Sequence, residues 1–329
     1  MRTTGALVAA VVVAAISLRA GAQTPPAPAT PPDIQVVLLG TQAGPTYNVQ
    51  RLGISTLVIA GSERLLFDAG RGTTTGMARA GINSADVTRI FLTHLHSDHV
   101  VSLPELLISP WAFDGRRVPL RVWGPAGTRA MMQHFQEALA FDIHLRRDVD
   151  EKFPADGVRV VATDIKEGVV YEAGGVTVTA FLVDHGPVKP AYGYRVDFRG
   201  RSVALSGDTK PSESLIKATT GVDVLVHELG RLKSDPALTG PPDELLPNSH
   251  QTRRQLITIA AHHTDPVEVG VVLNRVRPRL GVFSHYNADP ARALPLVRRN
   301  YDGPVEFGED AMTIDIGATI AVRRRELAK

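Results

Sequence analysis

The stretch Thr93-His94-Leu95-His96-Ser97-Asp98-His99 decides the reading of this chain. It follows Arg89 to Leu92, an apolar run that reads as a buried strand. In an extended segment, residues two apart face the same side, so His94 and His96 can grip one ion. The chain then turns, and Asp98 with His99 can face a second ion beside the first. Packing does not explain this density of ligand-type residues at a strand end. The 329 residues include 11 His and no Cys, so any metal here must use His, carboxylate and water.

Three isolated candidates share that context, each just past an apolar strand. His185 follows Val176 to Val183, Asp208 follows Ser202 to Leu205, and His285 follows Leu280 to Ser284. Together they supply what the first cluster lacks: a third His for one ion, a carboxylate to bridge two, and a His for the other.

The rest of the chain reads as strands with occasional helices. Ile34 to Leu39 is a strand, and Ser55 to Ala60 with Arg64 to Phe67 form a hairpin around Gly61-Ser62. Leu120 to Trp123, Val158 to Ala162, Tyr192 to Phe198 and Val222 to Val226 are further strands. Helices are expected before Gly81, from Gly127 to Leu139, from Asp265 to Val276 with Thr264 as N-cap, and from Pro290 to Arg299. Strand runs in both halves fit helices packed outside two facing sheets, an α/β architecture. No Gly/Pro/Ser-rich break interrupts residues 34–322, so they read as one domain.

The ends differ. Arg2, the apolar run Gly5 to Ile16 and the small residues Ala20-Gly21-Ala22 read as a signal peptide over 1–22. Residues 23–33 form a Pro/Ala-rich linker, and 323–329 a basic tail. Without a Cys at the cleavage site, the expected product is periplasmic or secreted and free of the membrane. The formal charge of +2 rests on Arg2 and Arg19 in the leader, so the mature chain is neutral. That excludes a protein dedicated to coating polyanions. Composition, with 43% hydrophobic and 21% charged residues, excludes a disordered or collagen-like chain.

These residues resemble the metallo-β-lactamase superfamily. The resemblance covers nearly all of 34–316 and implies an αββα sandwich of two facing mixed sheets with helices outside. It implies that His94, His96 and His185 bind one divalent ion. Asp98, His99 and His285 would bind a second, and Asp208 would bridge the two. Two such ions, roughly 3.5–4 Å apart, polarise a scissile group and turn a bridging water into hydroxide near neutral pH. Asp98 can also orient that nucleophile. Zinc suits the nitrogen and oxygen ligands, and manganese or iron are admissible.

Several stretches are similar to ribonuclease Z and related exported arylsulfatase-like hydrolases. They are Leu38-Leu39-Gly40-Thr41, Phe91 to His96 with Leu103-Pro104, and Val122-Trp123-Gly124-Pro125. Asp184-His185-Gly186 followed by Tyr192-Gly193-Tyr194-Arg195 belongs to the set, as do Val226-His227-Glu228 and His262-His263-Thr264. The resemblance implies that His263 protonates the leaving oxygen and Glu228 orients it. The match is partial, because Leu229-Gly230 stands where that family has Ala-Thr. His134, His144, His250 and His262 read as surface or structural; Trp111 and Tyr286 are able to line a cleft, though an aromatic near a site is more often core. The tRNA-gripping arm that follows Gly-Tyr-Arg in ribonuclease Z has no room here, because Arg195 runs straight through Arg201 to Asp208. Arg253-Arg254 and Arg323-Arg324-Arg325 read as solvated faces or tail.

The expectation is therefore an exported dinuclear metal-dependent hydrolase of a small ester, a sulfate ester or phosphodiester, with no nucleic-acid partner and a homodimer allowed. The alternatives are a β-lactam or lactone hydrolase and a non-catalytic periplasmic metal-binding protein.

Overall fold

The computed structural model describes residues 31–45, 48–246 and 251–324. The expected leader and most of the linker lie outside them, as do His250 and residues 325–329. In the first half, β1 (Ile34–Gly40), β2 (Ser55–Ala60) and β3 (Glu63–Phe67) lead to helix α1 (Thr73–Ala80). Then follow β4 (Arg89–Phe91), α2 (Ser97–Val100), α3 (Leu103–Ala112), β5 (Leu120–Gly124), α4 (Thr128–Ala138), α5 (Ala140–His144) and β6 (Val160–Asp164).

The second half begins with β7 (Gly168–Ala173), β8 (Val176–His185), β9 (Val188–Phe198) and β10 (Arg201–Leu205). Helix α6 (Glu213–Thr219), β11 (Val224–Leu229), α7 (Arg253–Ala261), α8 (Pro266–Val276) and β12 (Leu280–Tyr286) come next. Helix α9 (Pro290–Val297), β13 (Val305–Phe307), β14 (Met312–Ile316) and β15 (Ile320–Arg323) complete the described chain.

The strands form two mixed sheets. One has the order β15-β14-β1-β2-β3-β4-β5-β6, the other β13-β12-β11-β10-β9-β8-β7. Val36, Leu38, Val58, Leu65 and Phe67 from the first meet Val178, Tyr194, Val203, Val224 and Val282 from the second in the central core. The opposite faces are covered by helices. Met77, Leu103, Leu106 and Met132 pack on Leu39, Leu57 and Leu66, while Leu215, Val269, Leu273 and Val297 pack on Leu225 and Phe283. Alternating burial along each strand thus gives two packing faces per sheet, and the αββα expectation holds.

Strand direction sets the site. β8 and β10 are both antiparallel to β9, and β10, β11 and β12 are parallel neighbours. The C-terminal ends of β8, β10, β11 and β12 therefore gather at one edge.

Several expectations need correction. The N-cap of α8 is Asp265, not Thr264: its carboxylate accepts from the backbone N–H of Val267 and Glu268 in a capping box. Thr264 instead donates its hydroxyl to Thr209 O at 2.6 Å. Arg323 belongs to β15, and Arg324 pairs with Glu306 and Glu309, so no free tail begins at 323. Arg253 is buried, not solvated, and bonds Ala237 O, Pro241 O and Glu244. Trp111 is wholly buried and donates to Pro154 O; Tyr286 is buried and donates to Gly308 O. Both belong to the core, the commoner place for an aromatic near a site.

Candidate metal centre

Strand β4 delivers the Thr93–His99 stretch to the site edge, and α2 turns it back within four residues. His94 and His96, two apart in extended backbone, bring His94 Nε2 to 2.9 Å from His96 Nδ1. His185, the last residue of β8, places Nε2 3.4 Å from His96 Nδ1. On the other side His285 Nε2 lies 3.3 Å, and His99 Nε2 3.7 Å, from Asp98 Oδ2.

Asp208 stands between the two groups. Its Oδ2 is 3.4 Å from His99 Nε2, 3.8 Å from His94 Nε2 and 3.9 Å from His185 Nε2, while its Oδ1 is 3.2 Å from His285 Nδ1. Among the described residues three overlapping ligand groups result, each with its ligand atoms within 4.8 Å of one another: His94, His96, His185 and Asp208; Asp98, His99 and His285; and Asp208, His263 and His285. All seven residues named from the sequence are brought together at this edge.

The residues fit divalent cations. His99 Nε2 and His285 Nδ1 are buried without a hydrogen-bond partner. Buried polar atoms in that condition, facing carboxylates, are what a metal satisfies. Burial pushes His94 well below the ordinary histidine value, with neighbouring His99 adding to it, so it offers a neutral ring. Burial also lowers His185. Burial opposes the charge of Asp98 and Asp208, but the surrounding imidazoles outweigh it and hold both carboxyls below the usual range.

Further contacts aim the rings. His99 Nδ1 donates to Asp68 Oδ2 at 2.8 Å, and Asp68 also accepts from Thr93 N and Thr93 Oγ1. His185 Nδ1 donates to the backbone carbonyl of His262 at 3.1 Å. Such partners fix which nitrogen faces the ion. The sequence reading missed Asp68; its signal was the Asp68-Ala69-Gly70 break at the end of β3, where Asp68 takes φ 59°. It left His262 as surface or structural, and the structural alternative holds. The structure puts its ring 6.2 Å from His185 and its carbonyl in support of that ligand.

Glu228, at the end of β11, is buried and uses both oxygens. Oε2 accepts from His263 Nδ1 at 2.9 Å; Oε1 accepts from Thr209 N at 3.0 Å and Thr264 N at 3.2 Å. The carboxylate thus ties the segment after Asp208 to the segment carrying His263. Burial works against a proton on His263, but Glu228 outweighs it and holds the imidazole up at about 9. Its ring lies 5.1 Å from His185 and 5.9 Å from His285. His227 faces elsewhere: it is buried, its Nδ1 donates to Glu228 O at 2.7 Å, and burial lowers it. His134 and His144 are exposed and pair with Glu137 and Asp148.

A fold of two facing sheets with these His and Asp clusters at one edge defines a class, and the sequence comparisons agree. The chain belongs to the metallo-β-lactamase superfamily of hydrolases: residues 63–286 match the family described as Beta-lactamase superfamily domain. Among relatives, it is 33% identical over 299 residues to Ribonuclease Z of Mycobacterium avium (strain 104), covering 87% of this chain and 99% of that one. It is 32% identical over 298 residues to Ribonuclease Z of Mycobacterium marinum (strain ATCC BAA-535 / M), with the same coverages of 87% and 99%. Among solved structures, the metallo-β-lactamase fold protein YhfI from Bacillus subtilis superposes with TM-score 0.63 at 15% identity, covering 85% of this chain and 98% of that one. The short form of human tRNase Z superposes with TM-score 0.60 at 23% identity, covering 86% and 99%.

Proposed function

We propose that this protein is a dinuclear metal-dependent phosphodiesterase, with RNA among its substrates. The observation that carries it is the Glu228–His263 pair set beside the seven-ligand cluster. His94, His96, His185 and Asp208 would hold one ion, and Asp98, His99 and His285 the other, zinc being the best match. When bound, such ions activate water at neutral pH and neutralise charge developing on a phosphoryl group. Asp98, at the edge of the cluster, would orient the attacking water. His263, its Nδ1 occupied by Glu228, keeps Nε2 free to give a proton to the departing oxygen.

RNA returns as a substrate because the missing arm does not discriminate. The turn Arg199-Gly200 joins β9 directly to β10, as expected. But an alignment 299 positions long spans 87% of this chain and 99% of the Mycobacterium avium relative, so that protein, named ribonuclease Z, has only about a dozen residues more over the same span and no long extra arm. None of the relatives named above carries a sulfatase name, so phosphodiesters take precedence over sulfate esters.

We propose further that residues 1–22 are a leader and the mature protein is periplasmic or secreted. The support is the charge, apolar run and small residues of that segment. The function is tested by assaying metal-loaded protein on a bis-nitrophenyl phosphate, an RNA, a nitrophenyl sulfate, a lactone and nitrocefin. Phosphodiester cleavage is expected to dominate; a preference for any of the last three contradicts the reading.

A further inference from the structure

We infer that Gly230 is a positioning residue for His263. In this chain, where ribonuclease Z has a threonine, its bare Cα lets His263 close against the end of β11 more tightly than a side chain at 230 would allow, and in this backbone that closeness brings the imidazole onto Glu228. The inference rests on the reading of His263 as proton donor.

The approach is very tight. A Cβ at position 230 would lie 2.6 Å from His263 Cβ and 3.2 Å from Thr264 O. The first contact is far inside ordinary carbon–carbon separation. Gly230 is not among the residues with positive φ, so space and not backbone freedom is what the position requires. The two segments are laced together there. Gly230 N donates to Thr264 O at 2.9 Å, and Thr264 in turn donates from its N–H to Glu228 and from its hydroxyl to Thr209 O. A methyl at 230 cannot push Thr264 away without breaking these bonds. The yielding element is therefore His263, whose shift separates Nδ1 from Glu228 Oε2. A proton donor displaced by even an ångström loses much of its effect, because transfer needs hydrogen-bond reach of the leaving oxygen.

The test is the leaving-group dependence of phosphodiester cleavage by the full-length, metal-loaded protein. A lost proton donor hurts poor leaving groups most and good ones least, whereas general structural damage lowers all rates alike. In Gly230→Ala, kcat on an alkyl phosphodiester is expected to fall roughly tenfold to a hundredfold, with a much smaller loss on a nitrophenyl ester. His263→Ala should show the same steepening. If His263→Ala stays shallow, the proton-donor reading fails. If His263→Ala steepens while Gly230→Ala stays as shallow as wild type, or loses all substrates equally, the Gly230 inference is overturned.

A double-mutant cycle covers the case in which Gly230→Ala does not fold. His263→Gly removes the Cβ that the new methyl meets. Adding Gly230→Ala to it should cost no further activity and no further Tm, and should restore folding if the single variant lacks it. A double variant that fails to fold while His263→Gly folds would overturn the inference.

Discussion

His99 Nδ1 donates to Asp68 Oδ2 across 2.8 Å, and both side chains are buried. The bond leaves His99 Nε2 as the nitrogen facing Asp208 and Asp98. Asp68 is itself fixed by Thr93, so β3 and β4 hold the ring between them. Asp68→Asn keeps the shape and removes the charge. It is expected to weaken metal binding at the Asp98–His99–His285 cluster roughly tenfold to a hundredfold. Competition with a chromogenic chelator measures this, and unchanged affinity would contradict the role given to Asp68.

Metal uptake should release protons. Burial alone would push His99 down, but Asp208 and Asp68 outweigh it and hold the proton well above the ordinary value. The metal-free protein therefore carries that proton at neutral pH, and an ion must displace it. Affinity is then expected to rise with pH, with about one proton released at this cluster near pH 7. Calorimetry of zinc binding in buffers of different ionisation enthalpy counts the protons; none released at pH 7 would count against the arrangement.

Glu228→Gln is the conservative probe of the proton donor. It can still accept from Thr209 N or Thr264 N but no longer presents a charge to His263 Nδ1. The rate on a phosphodiester with a poor leaving group is expected to drop by roughly a hundredfold or more, with metal content unchanged. Metal analysis alongside steady-state rates separates this from loss of the ions.

What the sequence disclosed was whatever follows from local periodicity and from ligand spacing. His94 and His96 share a face because the backbone is extended; β10 ended where its apolar run ended, while β8 and β12 ran two residues further and took His185 and His285 into the strands. The N-cap of α8 was misplaced by one residue because Thr264 and Asp265 are both good caps, and only the tertiary bond to Thr209 decides between them. Asp68 was hidden for a related reason: its partner His99 lies 31 positions away. Arg253 looked like surface, since nothing local shows that loop carbonyls will bury it.

Arg116 offers a stability test away from the metals. It is almost wholly buried, and burial lowers it to about 10. Its guanidinium donates to Gly157 O at 2.9 Å, Leu106 O at 2.6 Å and Leu107 O at 2.5 Å. Arg116→Met fills much of the volume but leaves those carbonyls without this donor. A loss of about 2–4 kcal/mol in urea unfolding is expected, with activity per folded molecule retained. A loss under about 0.5 kcal/mol, the size of a surface substitution, would show that the carbonyls find other partners.

The most direct test of the account is a zinc titration of the metal-free protein followed by phosphodiesterase activity on a bis-nitrophenyl phosphate. Two ligand clusters joined by Asp208 predict that activity rises to a plateau at about two equivalents of zinc. A plateau at one equivalent, or no hydrolysis at any loading, would contradict it.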